Sequence, residues 1–133
     1  MSKAERQVGR EAEAAMPRVL CHTDALTAAA SSDVAVLWKL AESGRQLDAN
    51  LVRLTPGRHV APHAEPNLDV LVLVVAGDGV LGAGPRDEPQ SLTTGALLWL
   101  PHGSTRSITA GDDGLAYLTV HRRRPGLQIG QAP

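Results

Sequence analysis

At 133 residues the chain has the length of one domain, long enough to bury roughly two thirds of the surface its unfolded form exposes. Thirteen basic side chains against fourteen acidic ones leave a formal charge of -1, which gives no electrostatic footprint for nucleic acid. Trp38, Trp99 and Tyr117 are its only aromatic residues, so the core must be built from Leu, Val, Ile and Ala, and a site that reads sugars or bases by stacking has little to stack with.

The first stretch, SKAERQVGREAEAA (2–15), is rich in helix formers, and Ser2 and Glu5 have the spacing of a capping box. Its apolar face is thin (Ala4, Val8, Ala12, Ala15), so residues 1–16 read as a short helical or mobile extension, or as a helix that docks only on a partner subunit. Met16-Pro17 ends it. RVLCH (18–22) predicts an edge strand and DALTAAA (24–30) a helical turn. VAVLWKL (34–40) and ANLVRL (49–54) predict strands on either side of the loop SGRQLD, and Pro56-Gly57 a turn. His59 shares strand parity with His63, but Pro62 interrupts the register, which makes His59 a loop histidine near a rim.

DVLVLVVA (69–76) is apolar enough to be a strand buried on both faces. Gly77-Asp78-Gly79 then predicts a tight hairpin, because glycine takes positive φ at no steric cost. VLGAG, SLTTGALLWLP, TRSITA and LAYLTVHR complete the strand set. GPRDEPQ forms an acidic loop among them, and GDDG (111–114) a second hairpin turn. Eight or more short strands with turns every 8 to 12 residues argue for an all-β sandwich or barrel over 17–125, followed by a Pro- and Gly-bearing tail, 126–133. Cys21 is the single cysteine, a small buried apolar residue that excludes an internal disulfide. With no apolar run of membrane-spanning length and no apolar leader, a soluble cytoplasmic protein with no membrane partner is expected.

Two segments carry a resemblance. Gly57-RHVAP-His63-Ala-Glu65-PNLD-Val70-LVLVVA-Gly77 and Gly95-ALLWL-Pro101-His-Gly103-ST-Arg106-SIT-Ala110 hold the spacing of the two motifs of the cupin superfamily, and the flanking strands extend the likeness to roughly 18–124. The resemblance implies a double-stranded β-helix, the jelly-roll barrel, in its small single-domain form. It also implies one metal ion held by two histidines, a glutamate and a third histidine. Those four positions fall here on His63, Glu65, Val70 and Arg106. Only the first keeps its ligand. Glu65 retains carboxylate oxygens, Val70 has no donor, and Arg106 is a permanent cation. A shorter spacing brings Asp69 into the glutamate position and gives a His63–Glu65–Asp69 set, at the cost of one residue too many before Gly77.

The leading expectation is therefore a barrel without the usual metal and with no cofactor, in which Glu65 and Arg106 pair across the empty position. A buried unpaired charge would cost on the order of several kcal/mol. Such a barrel binds a small polar or anionic molecule, with His63 as a catalytic acid or base, Arg106 as a carboxylate anchor, and Tyr117 and Trp99 lining the pocket. One alternative is a metal-dependent enzyme of oxygenase, isomerase or cyclase type, with Zn, Fe, Mn or Ni on His63, Glu65 and Asp69. The other is a structural or interaction protein. His102, inside the Pro-x-Gly turn, is expected to be exposed, and a homodimer fits what is usual in the family.

Overall fold

The computed structural model describes residues 16–31, 35–82 and 88–124. The extension at 2–15, most of the acidic loop and the tail 126–133 lie outside the described residues. One short helix, α1 (Thr23–Ala28), precedes seven strands: β1 (Val36–Lys39), β2 (Leu47–Leu54), β3 (His59–Ala64), β4 (Val70–Gly82), β5 (Gln90–Thr93), β6 (Leu97–Leu100) and β7 (Thr105–Arg122). All strand pairings are antiparallel. No helix among the described residues is long and apolar enough to cross a membrane.

The architecture is one sheet folded over on itself. β7 pairs with β2 through Leu115–Arg122 and with β3 through Thr105–Thr109, while β4 runs along its whole length on the other side. β5 and β6 in turn pair with the two ends of β4. Every composite strand bends at the same level: at Pro56-Gly57 between β2 and β3, at Gly111–Gly114 within β7, at Gly77–Gly79 within β4, and at Thr94-Gly95 between β5 and β6. Hydrogen bonds from Gly57 N to Gly111 O and from Gly95 N to Val74 O tie neighbouring corners together. The two halves of the sheet then face each other and share one core.

Local sequence explains both the alternation and the bend. Val70, Val72 and Val74 point inward, each at most 7% exposed, while Leu71 and Leu73 point outward at 44% and 37%. The apolar run of β4 is thus buried on one face only, against the two-faced burial its composition predicts. At the corner, Gly77 has φ +77° and a Cβ there would run into the carbonyl oxygen of Gly114. Gly114, at φ +76°, packs its Cα side against Leu54 O. Only glycine fits where two strands cross this closely. The predicted hairpins at 77–79 and 111–114 are instead corners inside continuous strands, built from the same residue chemistry as a turn.

Two further differences follow from local context. Residues 18–22 form no strand and lead directly into α1. Conversely, β3 exists despite Pro62, because a register shift between Val60 and His63 places the proline in a bulge where no ladder N–H is needed. Cys21 is partly exposed rather than buried.

Candidate functional site

Between the two halves, away from the corner, lies a cavity of about 100 Å³. β3 contributes Val60 and His63, β4 contributes Val70 and Val72, and β6 contributes Leu100. β7 crosses the site twice, supplying Arg106 and Ile108 from one half and Tyr117 and Thr119 from the other. The period-2 alternation of a strand explains the choice: Arg106 and Ile108, like Tyr117 and Thr119, are two apart on one face. His63 and Arg106 are direct cross-strand partners.

Arg106 is the one buried charged side chain among the described residues, at 7% exposure. It donates a long hydrogen bond, 3.4 Å, from Nη1 to Ser104 O, and no carboxylate among the described residues lies within ion-pair range. Tyr117 is 7% exposed, and its burial pushes the phenol above its ordinary pKa of 10.0. The His63 ring is exposed at the mouth and its Nδ1 lies 3.1 Å from Ala61 O. A carbonyl only accepts, so Nδ1 is a donor here, and it is Nε2 that faces away from this bond.

The mouth is closed in by three loops at one end of the barrel, 65–69, 101–104 and 122–124. Glu65 Oε2 pairs with Arg124 Nη2 at 2.9 Å, and that hydrogen bond lowers the Glu65 carboxyl below its ordinary 4.5. Asp69 Oδ1 accepts from both the backbone N (2.9 Å) and the ring Nδ1 (2.7 Å) of His102, which lowers Asp69 below 3.8. Arg122 Nη2 donates to Asn67 O, and Gly103 N to Glu65 O. These groups border two open clefts of about 560 and 420 Å³ that share Asn67 and Arg122.

The residues singled out from sequence therefore divide. His63, Arg106 and Tyr117 meet at the cavity. Glu65 does not pair with Arg106; its partner is Arg124, 59 positions away in sequence, and the expected pair is corrected on that ground. Trp99 is 59% exposed on the outer face of β6, whose inward positions are Leu98 and Leu100, so it does not line the pocket. His102 is exposed as expected, but is held by Asp69. Thr119, Val60 and Ile108 line the cavity without having been singled out. Strand parity with Tyr117 and Arg106 was the available signal for Thr119 and Ile108.

No family profile and no curated protein matches the sequence. Solved structures do. A cupin-2 domain protein from Shewanella frigidimarina superposes with a TM-score of 0.63 at 15% identity, over 78% of this chain and 95% of that one. A protein from Bacillus halodurans gives 0.65 at 19% identity over 85% and 86%. A sugar phosphate isomerase of the cupin superfamily from Silicibacter pomeroyi gives 0.54 at 26% identity over 61% and 53%. The chain therefore has the jelly-roll fold of the small single-domain cupins.

The metal that the cupin likeness implies does not suit the donors present. Among the described residues no three His, Cys, Asp or Glu side chains gather as a metal-holding group. His63, Glu65 and Asp69 are not brought together: Glu65 is turned to Arg124 and Asp69 to His102. Arg106 puts a fixed positive charge at the position of the third histidine, where it would repel a cation.

Proposed function

We propose that this cupin binds a small carboxylate or a similarly small oxyanion in the barrel cavity, without a metal, through Arg106. One observation carries the reading: Arg106, 7% exposed, lines a cavity and makes no ion pair among the described residues, Glu65 being near enough only to feel its charge. Leaving such a charge uncompensated costs several kcal/mol, on the order of the penalty for breaking a buried ion pair. A ligand anion offsets that cost and accepts two parallel hydrogen bonds from the planar fork.

Cavity size narrows the ligand. A volume of about 100 Å³ lies well below the roughly 300 Å³ at which sites for drug-sized ligands begin, so the anion has only a few heavy atoms. The sugar phosphate that the Silicibacter pomeroyi isomerase's name implies is larger than this space. The cross-strand pairing of His63 with Arg106 supports a role for His63 as the base that takes a proton from a bound ligand, with Arg106 stabilising the negative charge that results. Val70, Val72, Leu100 and Ile108 keep water scarce around that charge and so strengthen its attraction to Arg106.

Isothermal titration with C1 to C4 mono- and dicarboxylates, on protein whose metal content has been measured in parallel, tests the reading. At least one acid should bind, and Arg106→Gln should weaken it by about 30-fold or more, the value of a charge-assisted hydrogen-bonded contact. Binding that survives Arg106→Gln would sink the assignment, and so would stoichiometric metal lost on His63→Ala.

A further inference from the structure

Two cavity-lining side chains combine a polar end with burial beyond nine tenths, Arg106 and Tyr117, each 7% exposed. They come from the two halves of β7 and so stand on walls that face each other across the space. The protein satisfies neither. Arg106 gives one nitrogen, Nη1, to the long bond with Ser104 O, while Nε and Nη2 have no partner among the described residues. The Tyr117 hydroxyl has none there either. Thr119, the other hydroxyl of the lining, is turned to Asn50 O. Polar atoms sealed in without a partner would be costly, yet no such side-chain atom occurs among the described residues. The free nitrogens and the phenol hydroxyl therefore open onto the cavity.

The rest of the lining restricts what can lie between them. No Lys and no second Arg borders the cavity, and Val70, Val72, Leu100 and Ile108 offer no hydrogen-bonding group. A second carboxylate on the ligand would be buried without a cation of its own, which is strongly unfavourable. A neutral oxygen suits the Tyr117 wall instead, because burial holds the phenol in its protonated, donating form. The volume of about 100 Å³ is room for about three waters at liquid density, which leaves no length for a spacer between the two oxygen functions. We propose that the cavity takes a short 2-hydroxy or 2-oxo monocarboxylate, with Arg106 on the carboxylate, Tyr117 on the neighbouring oxygen and the alkyl end among the apolar side chains of β4 and β6. This rests on the anion-site reading above and adds to it a residue that selects among short acids. Arg106 decides that an acid binds, and Tyr117 decides which.

Isothermal titration of the full chain with propanoate, lactate, pyruvate, 3-hydroxypropanoate and malonate tests it. Lactate or pyruvate should bind about ten-fold more tightly than propanoate, the worth of one hydrogen bond shielded from water. Malonate and 3-hydroxypropanoate should bind more weakly than the preferred acid. Tyr117→Phe should erase the preference and leave propanoate binding as it was, whereas Arg106→Gln should weaken every acid. Tyr117 is the only tyrosine of the chain, so isotope labelling at its Cζ gives a single resonance. That resonance should move further on saturation with the preferred acid than with propanoate, which reads the same bond in the wild type should Tyr117→Phe not fold. Equal affinity for propanoate and its 2-oxygenated relatives, tighter binding of malonate or 3-hydroxypropanoate, or a preference that survives Tyr117→Phe overturns this inference and leaves the anion site standing. Binding of no acid at all, or binding indifferent to Arg106→Gln, overturns the anion site and the inference with it.

Discussion

The two ends of the barrel are built on opposite terms. At the corner, Gly77, Gly79 and Gly114 let β4, β7 and the end of β2 come so close that backbone meets backbone, Gly111 makes room for the Asp78 carboxylate, and Leu54, Val74 and Leu115 belong to the core behind them. At the mouth, Arg106, His63, Glu65, Asp69, His102, Arg122 and Arg124 surround a cavity and two clefts. The corner has no titratable group in its packed interior, and the mouth has a charge buried beside empty space. Stability is concentrated at one end so that the other can keep an arrangement that does not stabilise the fold by itself.

The largest expected effect lies at the corner. Gly77→Val adds a branched side chain at φ +77° against the Gly114 carbonyl, and should cost about 4 kcal/mol or more, read as loss of the cooperative urea transition. A variant of near wild-type stability there would remove the asymmetry between the ends. Leu115→Ala, at 2% exposure in the same angle, should cost about 3 kcal/mol by the same measurement. At the mouth the sign reverses. Arg106→Leu replaces an unpaired buried cation with an apolar group of similar reach and should raise unfolding stability by about 1 to 2 kcal/mol while abolishing anion binding. Destabilisation instead would mean that Arg106 holds the fold rather than a ligand.

The smallest effect is acid sensitivity of the rim. Glu65 and Asp69 both have carboxyls lowered in the folded protein, below 4.5 and 3.8, by their bonds to Arg124 and His102. A lowered carboxyl stabilises the fold above its unfolded pKa, and that contribution drains away as pH falls through the folded value. Thermal unfolding of wild type and Glu65→Gln/Asp69→Asn should therefore differ slightly at pH 6, and the gap should begin to narrow as pH falls below about 4. Curves separated by the same interval down to pH 3 would remove these pairs from the account.

The fold was legible because its spacing is carried by glycines that have no substitute: Gly57, Gly77, Gly95 and Gly103 all take positive φ. What those glycines do was less legible. A strand corner and a hairpin use the same backbone freedom, and only the partner strand, far away in sequence, distinguishes Gly77–Gly79 as one rather than the other. Trp99 was misplaced because β6 is apolar on both faces, so parity alone gave it no side. Glu65 was given to Arg106 because the two motifs place both at ligand positions of one site, whereas Arg124, outside both motifs, reaches Glu65 only once β7 has run its full length. His63 and Arg106, picked by motif position, and Tyr117, picked by strand parity, do line one cavity, because inward alternation in a paired strand survives any such error at the ends.

The position of β7 in the chain has a consequence for how the protein is made. This eighteen-residue strand is central to the sheet and pairs with β2, β3 and β4, yet it begins only at Thr105. Until it has left the ribosome, β3 lacks its partner, β2 has only β1, and β4 can be matched only by the short β5 and β6. The nascent chain thus carries the apolar run of β4 with one edge open for most of its synthesis, and closure waits on contacts of long sequence separation, which form slowly. Production of this protein will be limited by the lifetime of that unfinished sheet, and a cell short of chaperones should accumulate it as aggregate before it accumulates it as barrel.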